Sequence, residues 1–365
     1  MERRLGISIY PEHSIMEEDK KYIDLAKKYG FKRIFMCLLS ANESIEEVKR
    51  TFKEIISYAN DRGFEVILDI APNIFDKYSI SYDDLSFFND LGAFGIRLDV
   101  GFDGSKEAKI SFNPYNLRIE INMSNDVAYI DNIITYKPNK PFIYGCHNFY
   151  PQKGTGLPYD FFIKCSERFK KYGLRTAAFI TSKEGKIGPW DINDGLCTLE
   201  EHRNLPIDVQ AKHLFATELI DDVIIGNAYA SEEELEALSK VNRYQIELSV
   251  EILEETTDVE RKIILNEQHH RRGDITHEVV RSTEVRVKYS KDNVEIHNND
   301  ISFKKGDILI GNNNFGKYKG ELQIALLDSK DERKNKVGRI REEELVLLDF
   351  INPWSKFKMV EYKRK

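Results

Sequence analysis

Three carboxylates lie in strand-like runs of the sequence or at their ends: Asp69 in Glu65–Ile70, Asp99 in Gly95–Val100 and Glu120 in Leu117–Ile121. Within Ile96-Arg97-Leu98-Asp99 and Ile119-Glu120-Ile121-Asn122 the polar residues are two apart. In an extended chain each such pair faces one side and the apolar residues between them face the other. Arg97, Asp99, Glu120 and Asn122 are therefore expected to share one pocket. Two carboxylates on neighbouring strands, with an arginine beside them, can divide acid and base or nucleophile roles if their surroundings separate their pKa values. The competing reading is a salt bridge between Arg97 and either acid, with no part in chemistry. Asp69 in the same ring favours catalysis.

Other polar groups fall at equivalent places. Tyr10 and Glu12 follow the run Leu5–Ile9, His147-Asn148-Phe149-Tyr150 follows Phe142–Tyr144, and Asn227 and Tyr229 follow Asp222–Ile225. The His147 loop combines donors with an aromatic face, which suits a polyhydroxyl ligand; a lone histidine there also serves as a hydrogen-bonded packing residue. The longest connection, Thr181–Pro206, contains Gly188-Pro189-Trp190 and Thr198-Leu199-Glu200-Glu201-His202-Arg203. Loops of this length in compact domains are usually functional lids or disordered. Trp190 can stack on a sugar ring or anchor the loop, and Arg203 can clamp an anion. Cys37, Cys146, Cys165 and Cys197 form no Cys-x-x-Cys and are expected to be buried, reduced thiols. No stretch has metal-ligand spacing, so no metal or cofactor is expected, and the adjacent His269 and His270 are expected to be solvated.

The elements that position these residues alternate. Strand-like runs at 5–9, 33–38, 65–70, 95–100, 117–121, 142–144, 174–180 and 222–225 are separated by amphipathic helical patterns such as Glu17–Tyr29, opened near Ser14, and Ser44–Arg62, whose Ser44 and Glu47 form a capping box. Seven steps from residue 5 to residue 222 give a mean period of about 31 residues, the size of one βαβ unit. Eight units read as a (β/α)8 TIM barrel over residues 1–242, with catalytic groups at the C-terminal strand ends. A doubly wound open sheet is disfavoured because Tyr10-Pro11-Glu12-His13, not a glycine-rich turn, follows the first strand. Beyond Val241 the pattern turns to β-like runs with turn punctuation: Gln245–Leu253, Lys262–Leu265, Glu278–Tyr289, Asp307–Ile310, Glu321–Leu327 and Leu345–Asp349. A small, mostly β domain is expected over 243–365. Its Gly311–Gly320 stretch is a dense Gly, Asn and Lys turn able to offer backbone N–H groups and two ammonium ions to a phosphate, or simply to close a hairpin.

Composition agrees with a folded chain. The 365 residues include 21 Phe, 18 Tyr and 2 Trp, enough for a core, and the length suggests about two domains. A net charge of −7 argues against a nucleic-acid groove or a basic membrane surface. The first residues have no apolar stretch long enough for a signal peptide, and no run approaches the ~18 apolar residues of a membrane span. The expected location is cytoplasmic.

Taken in order, Gly6-Ile-Ser-Ile-Tyr-Pro11, Gly95-Ile-Arg-Leu-Asp99, Ile119-Glu-Ile-Asn122 with Ser124-Asn125, Cys146-His-Asn-Phe-Tyr-Pro151 with Thr155-Gly-Leu157, Thr198-Leu-Glu-Glu-His-Arg203, Ile224-Ile-Gly-Asn227 with Tyr229-Ala-Ser231, and Gly316-Lys-Tyr-Lys-Gly-Glu-Leu-Gln-Ile324 resemble the bacterial 6-phospho-N-acetylmuramidases over essentially the whole chain. The resemblance implies a (β/α)8 barrel followed by a cyclophilin-like domain. It also implies cytoplasmic hydrolysis of the β-1,4 bond in 6-phospho-N-acetylmuramyl-N-acetylglucosamine during peptidoglycan recycling. Asp99 and Glu120 match family-like positions and are the expected catalytic pair, with Asp69 in reserve. Tyr10, Arg97, Asn122, His147, Asn148, Tyr150, Arg203 and Asn227 are expected around the sugar. Asn314, Lys317 and Lys319 are expected to hold the phosphate. The partner is thus a phosphorylated amino-sugar disaccharide. The rivals are a sugar-phosphate isomerase or epimerase on the same barrel, and a non-catalytic surface-binding protein suggested by Arg272-Gly273-Asp274.

Overall fold

The computed structural model describes residues 1–38, 44–78, 80–298 and 302–363. Two compact units emerge, Met1–Val241 and Asn242–Lys365. In the first, strands β1 (Arg4–Ile9), β2 (Arg33–Cys37), β3 (Glu65–Ile70), β4 (Gly95–Leu98), β5 (Arg118–Asn122), β6 (Ile143–Cys146), β7 (Arg175–Ile180) and β8 (Asp222–Ile225) close into an all-parallel barrel, β8 pairing with β1 through Arg4↔Asp222. All eight coincide with the expected runs to within two residues. Between them run helices α1 (Met16–Lys28), α2 (Ile45–Asp61), α3 (Pro72–Lys77), α4 (Ser86–Asp90), α5 (Ser105–Ile110), α6 (Tyr129–Thr135), α7 (Tyr159–Lys170) and α8 (Ile207–Ala216), and α9 (Glu232–Ser239) follows β8.

Local chemistry explains the helix ends. Ser44 Oγ accepts from the Glu47 N–H at 3.3 Å and Glu47 reaches back to the Ser44 N–H, so two otherwise unpaired donors at the start of α2 are satisfied. Ser14 does not cap α1; its hydroxyl is taken up by the Asp19 carboxylate and the Tyr10 carbonyl, and the helix opens after Ile15. Outward-facing strand residues and the inner helix faces make one core that includes Phe52, Ile55, Val66, Phe88, Ile96 and Phe162. Phe52 is fully buried. Phe52→Ala is expected to destabilise the barrel by about 3–5 kcal/mol, read as a lowered urea midpoint at unchanged m.

The N-terminal end of the barrel is filled by charge. Asp222 accepts from Arg4 at 2.9 and 2.7 Å, from Arg33 at 3.0 Å and from Arg175 at 2.6 Å, and Arg33 also pairs with Glu120. Such a network is costly to break because any one deletion leaves a buried charge behind.

In the second unit, β9 (Ile246–Ile252), α10 (Asp258–Leu265), β10 (His269–His270), β11 (Val279–Ser282), α11 (Glu284–Lys288), β12 (Asp307–Gly311), β13 (Leu322–Ala325), β14 (Lys334–Ile340) and β15 (Lys356–Glu361) build a seven-stranded sheet of order β10-β15-β9-β14-β12-β13-β11. Four expectations are corrected here. Lys262–Leu265 is helical, because Thr257 and Glu260 make a capping box that starts α10. Leu345–Asp349 lies in 3-10 turns, and Glu278–Tyr289 is a short strand followed by a helix. His269 and His270 are buried, not solvated: they point to opposite faces of an edge strand and each face is covered, His269 between Ser282 Oγ (3.0 Å) and the Ile264 carbonyl (3.2 Å).

Candidate active site

At the C-terminal ends of β3, β4 and β5 the expected ring of polar residues assembles around Arg97. Its guanidinium bonds Asp69 Oδ1 at 2.5 Å, Asp99 Oδ1 at 3.2 Å and the Asn148 side-chain oxygen. Asn122 donates to the Asp99 carbonyl at 3.1 Å, fixing the turn that carries the carboxylate. Register explains the cluster: Asp69, Arg97 and Glu120 are direct lateral neighbours across β3, β4 and β5.

The three acids are not equivalent. Glu120 is 0% exposed; one oxygen pairs with Arg33 from below and the other, Oε1, has no hydrogen-bond partner. Asp99 is the accessible one, its side chain 34% exposed. Asp69, 4% exposed, lies between them. Burial pushes its carboxyl up to about 7; Arg97 opposes the shift while the charges of Asp99 and Glu120 reinforce it. The site therefore pairs a buried carboxyl whose pKa is raised toward neutrality with an accessible one.

The opposite half of the mouth is aromatic. Phe35, Phe149 and Phe179 pack edge to face with centroids 5.0–5.9 Å apart, and Trp190, half exposed, continues the wall at 6.1 Å from Phe149. Phe35 and Phe179 escaped the sequence reading, although each shares the inward parity of the arginine that opens its strand. Phe35 and Phe179, each 1% exposed, back this wall from within the core, and the half-buried Phe149 and half-exposed Trp190 are the rings able to meet the apolar C–H face of a sugar.

Several expected ligand contacts are instead structural. His147 is fully buried: Ser166 donates to the Phe162 carbonyl and so accepts from His147 Nε2 (2.9 Å), leaving Nδ1 to accept from Ser124 (3.1 Å). Ser124 in turn accepts from the Asn148 N–H at 2.8 Å. Burial lowers the His147 pKa to about 3, so the ring stays neutral and acts by placing Asn148 against Arg97. Tyr10 is buried with its hydroxyl on the Gly226 carbonyl, forming the floor. Gly226 is required there, since a Cβ would stand 2.2 Å from the Leu196 carbonyl oxygen. Asn227 holds the loop after β7, donating to the carbonyls of Ser182 (2.9 Å) and Gly185 (2.6 Å). Tyr150 is half-buried and packs toward the helix layer.

Arg203 does not present a free guanidinium. It donates to the carbonyls of Tyr150 (3.1 Å), Gly195 (2.8 Å) and Gln152 (3.3 Å) and makes a two-pronged pair with Glu200 at 2.8 and 2.7 Å; that pairing lowers the Glu200 pKa to about 2. Arg203→Ala is expected to speed proteolysis within residues 181–206 and lower the thermal midpoint by a few degrees. A raised KM with unaltered loop protection would instead mark Arg203 as a ligand contact. In the second unit, Lys319 donates to the Asp292 carbonyl at 2.7 Å, the Asn314 N–H to the Asn312 side chain at 3.0 Å, and the Lys317 ammonium lies 5.1 Å from the Tyr318 ring.

Comparison with known proteins matches both units. Residues 5–240 match the family described as 6-phospho-N-acetylmuramidase, N-terminal, and residues 246–360 its C-terminal counterpart. A crystal structure described as an uncharacterized B. cereus protein is 61% identical, with a TM-score of 0.93 over 99% of this chain and 100% of that one. A conserved protein of unknown function from Enterococcus faecalis is 26% identical, with a TM-score of 0.72 over 98% and 96%. No curated protein matches the sequence.

Proposed function

The chain belongs to the 6-phospho-N-acetylmuramidase family, a family of glycosidases, and from that premise we propose that it hydrolyses 6-phospho-N-acetylmuramyl-β-1,4-N-acetylglucosamine to N-acetylmuramic acid 6-phosphate and N-acetylglucosamine, in the cytoplasm, as a step of peptidoglycan recycling. The observation that carries the reading is the raised pKa of Asp69 beside the accessible Asp99, both on Arg97. Asp69 protonates the glycosidic oxygen as the C–O bond breaks. Asp99 supports the oxocarbenium-like centre, directly or by orienting the substrate's 2-acetamido group, until water adds and gives its proton back to Asp69. Glu120 acts from beneath: it anchors Arg33 and its charge helps to keep the proton on Asp69. The second unit, a mostly-sheet domain, is read as cyclophilin-like on the sequence resemblance.

The test is incubation with the muramyl disaccharide with and without the 6-phosphate, products followed by mass spectrometry. Cleavage of the phosphorylated form alone is expected; cleavage of neither, or of both equally, sinks the proposal. The anomeric configuration of the first product then distinguishes retention from inversion.

A further inference from the structure

Outside the barrel mouth, the structure gathers a second set of chemically able side chains. His202 lies in the 3-10 stretch Glu200–Asn204 and His213 in α8. His202 Nε2 is 2.9 Å from His213 Nδ1, and Glu201 Oε1 is 3.5 Å from that same Nδ1. All three ligand atoms fall within 4.8 Å of one another, a grouping found at one place among the described residues. We propose that Glu201, His202 and His213 form a site for a divalent transition metal, with zinc the best match.

Geometry and chemistry both support it. With zinc–nitrogen bonds of ~2.0–2.1 Å, nitrogens 2.9 Å apart subtend about 90° at the ion, and the nitrogen–oxygen pair at 3.5 Å about 115–120°. Those two angles fall on either side of the tetrahedral value, the three ligand atoms lie within 4.8 Å of one another, and the Glu201 side chain, 46% exposed, opens the site to water. Both imidazoles are buried, His202 fully and His213 at 1% exposure, so the ring nitrogens are fixed in place by packing. The Tyr159 ring stacks on His213 at 5.4 Å and fixes its plane.

Without an ion the two rings must share a proton along the line between them. His202 Nδ1 is buried without a partner, so the neutral pair is best served by a proton on Nε2 directed at His213. Metal binding transfers that proton to Nδ1, with no net release from this ring. The burial of an unpaired N–H opposes binding. Its structural effect is a clasp: Glu200 and Arg203, which flank the two ligands Glu201 and His202, tie the Trp190-bearing connection down, and the ion joins that stretch to α8.

The experiment uses the full-length protein after chelator treatment, titrated with zinc by calorimetry and with cobalt(II) by visible absorption. One ion per chain is expected, with d–d bands of a low-coordinate nitrogen–oxygen site. His213→Gln should abolish them. Glu201→Gln, at an exposed position that leaves folding intact, should weaken binding by about tenfold or more. Absence of saturable binding overturns the site. So does binding that Glu201→Gln leaves unchanged, which would move the ion to another cluster such as His297 with Glu260.

Discussion

Asp69→Asn is expected to lower kcat on the phosphorylated disaccharide by about 10²- to 10⁴-fold, the usual contribution of a positioned general acid. The amide keeps the shape and a hydrogen-bonding oxygen for Arg97 but has no proton to give. In the wild type the group must be protonated to work. Its pKa is raised to about 7, so activity should hold below neutrality and fall as pH rises through that value. The same shift makes the folded chain hold a proton that the unfolded chain has lost between about pH 4 and 7, so Asp69 withdraws stability as pH rises across that window. Both dependences should vanish together in Asp69→Asn. A variant with near-normal turnover and the same alkaline limb would show that another group supplies the proton.

Asp99→Asn is expected to reduce kcat by a similar factor with little change in KM, since its carboxylate is needed where positive charge develops and not for holding the ground state. Glu120→Gln provides the contrast. Its charge is one of the influences that raise the Asp69 pKa, so the variant's alkaline limb should move to lower pH while the plateau stays within about tenfold of wild type. Arg33 would keep Asp222 but lose a buried partner, at a cost of about 3 kcal/mol in stability, so chemical denaturation should accompany the kinetics. Abolition of turnover at every pH in a folded Glu120→Gln would return Glu120 to the reacting atoms.

The limits of the sequence reading lie at particular residues. The missed strands β14 and β15 read Lys-Asn-Lys-Val-Gly-Arg-Ile and Lys-Phe-Lys-Met-Val-Glu, in which lysines alternate with buried side chains. Their signal is period-two alternation, not an apolar run, as befits a sheet with one wet face. Arg203 and Asn227 were sensible ligand candidates by type and position. Each is consumed by backbone carbonyls of loops that approach it only after folding.

From sequence alone follow the eightfold alternation, its capping signals, the strand ends that carry polar side chains and the shared face of Arg97 and Asp99. These depend on periodicity and local hydrogen bonding, which neighbours along the chain decide. Depth and partnership are different. Glu120 is claimed by Arg33, 87 residues away, and that pairing exists only because eight strands close and bring β2 across from β5. The same closure buries Asp69, raising its pKa, and leaves Asp99 accessible, so two aspartates of identical chemistry end in different surroundings. A carboxyl's pKa follows the dielectric and charges within a few ångströms, and only the tertiary structure decides what those are.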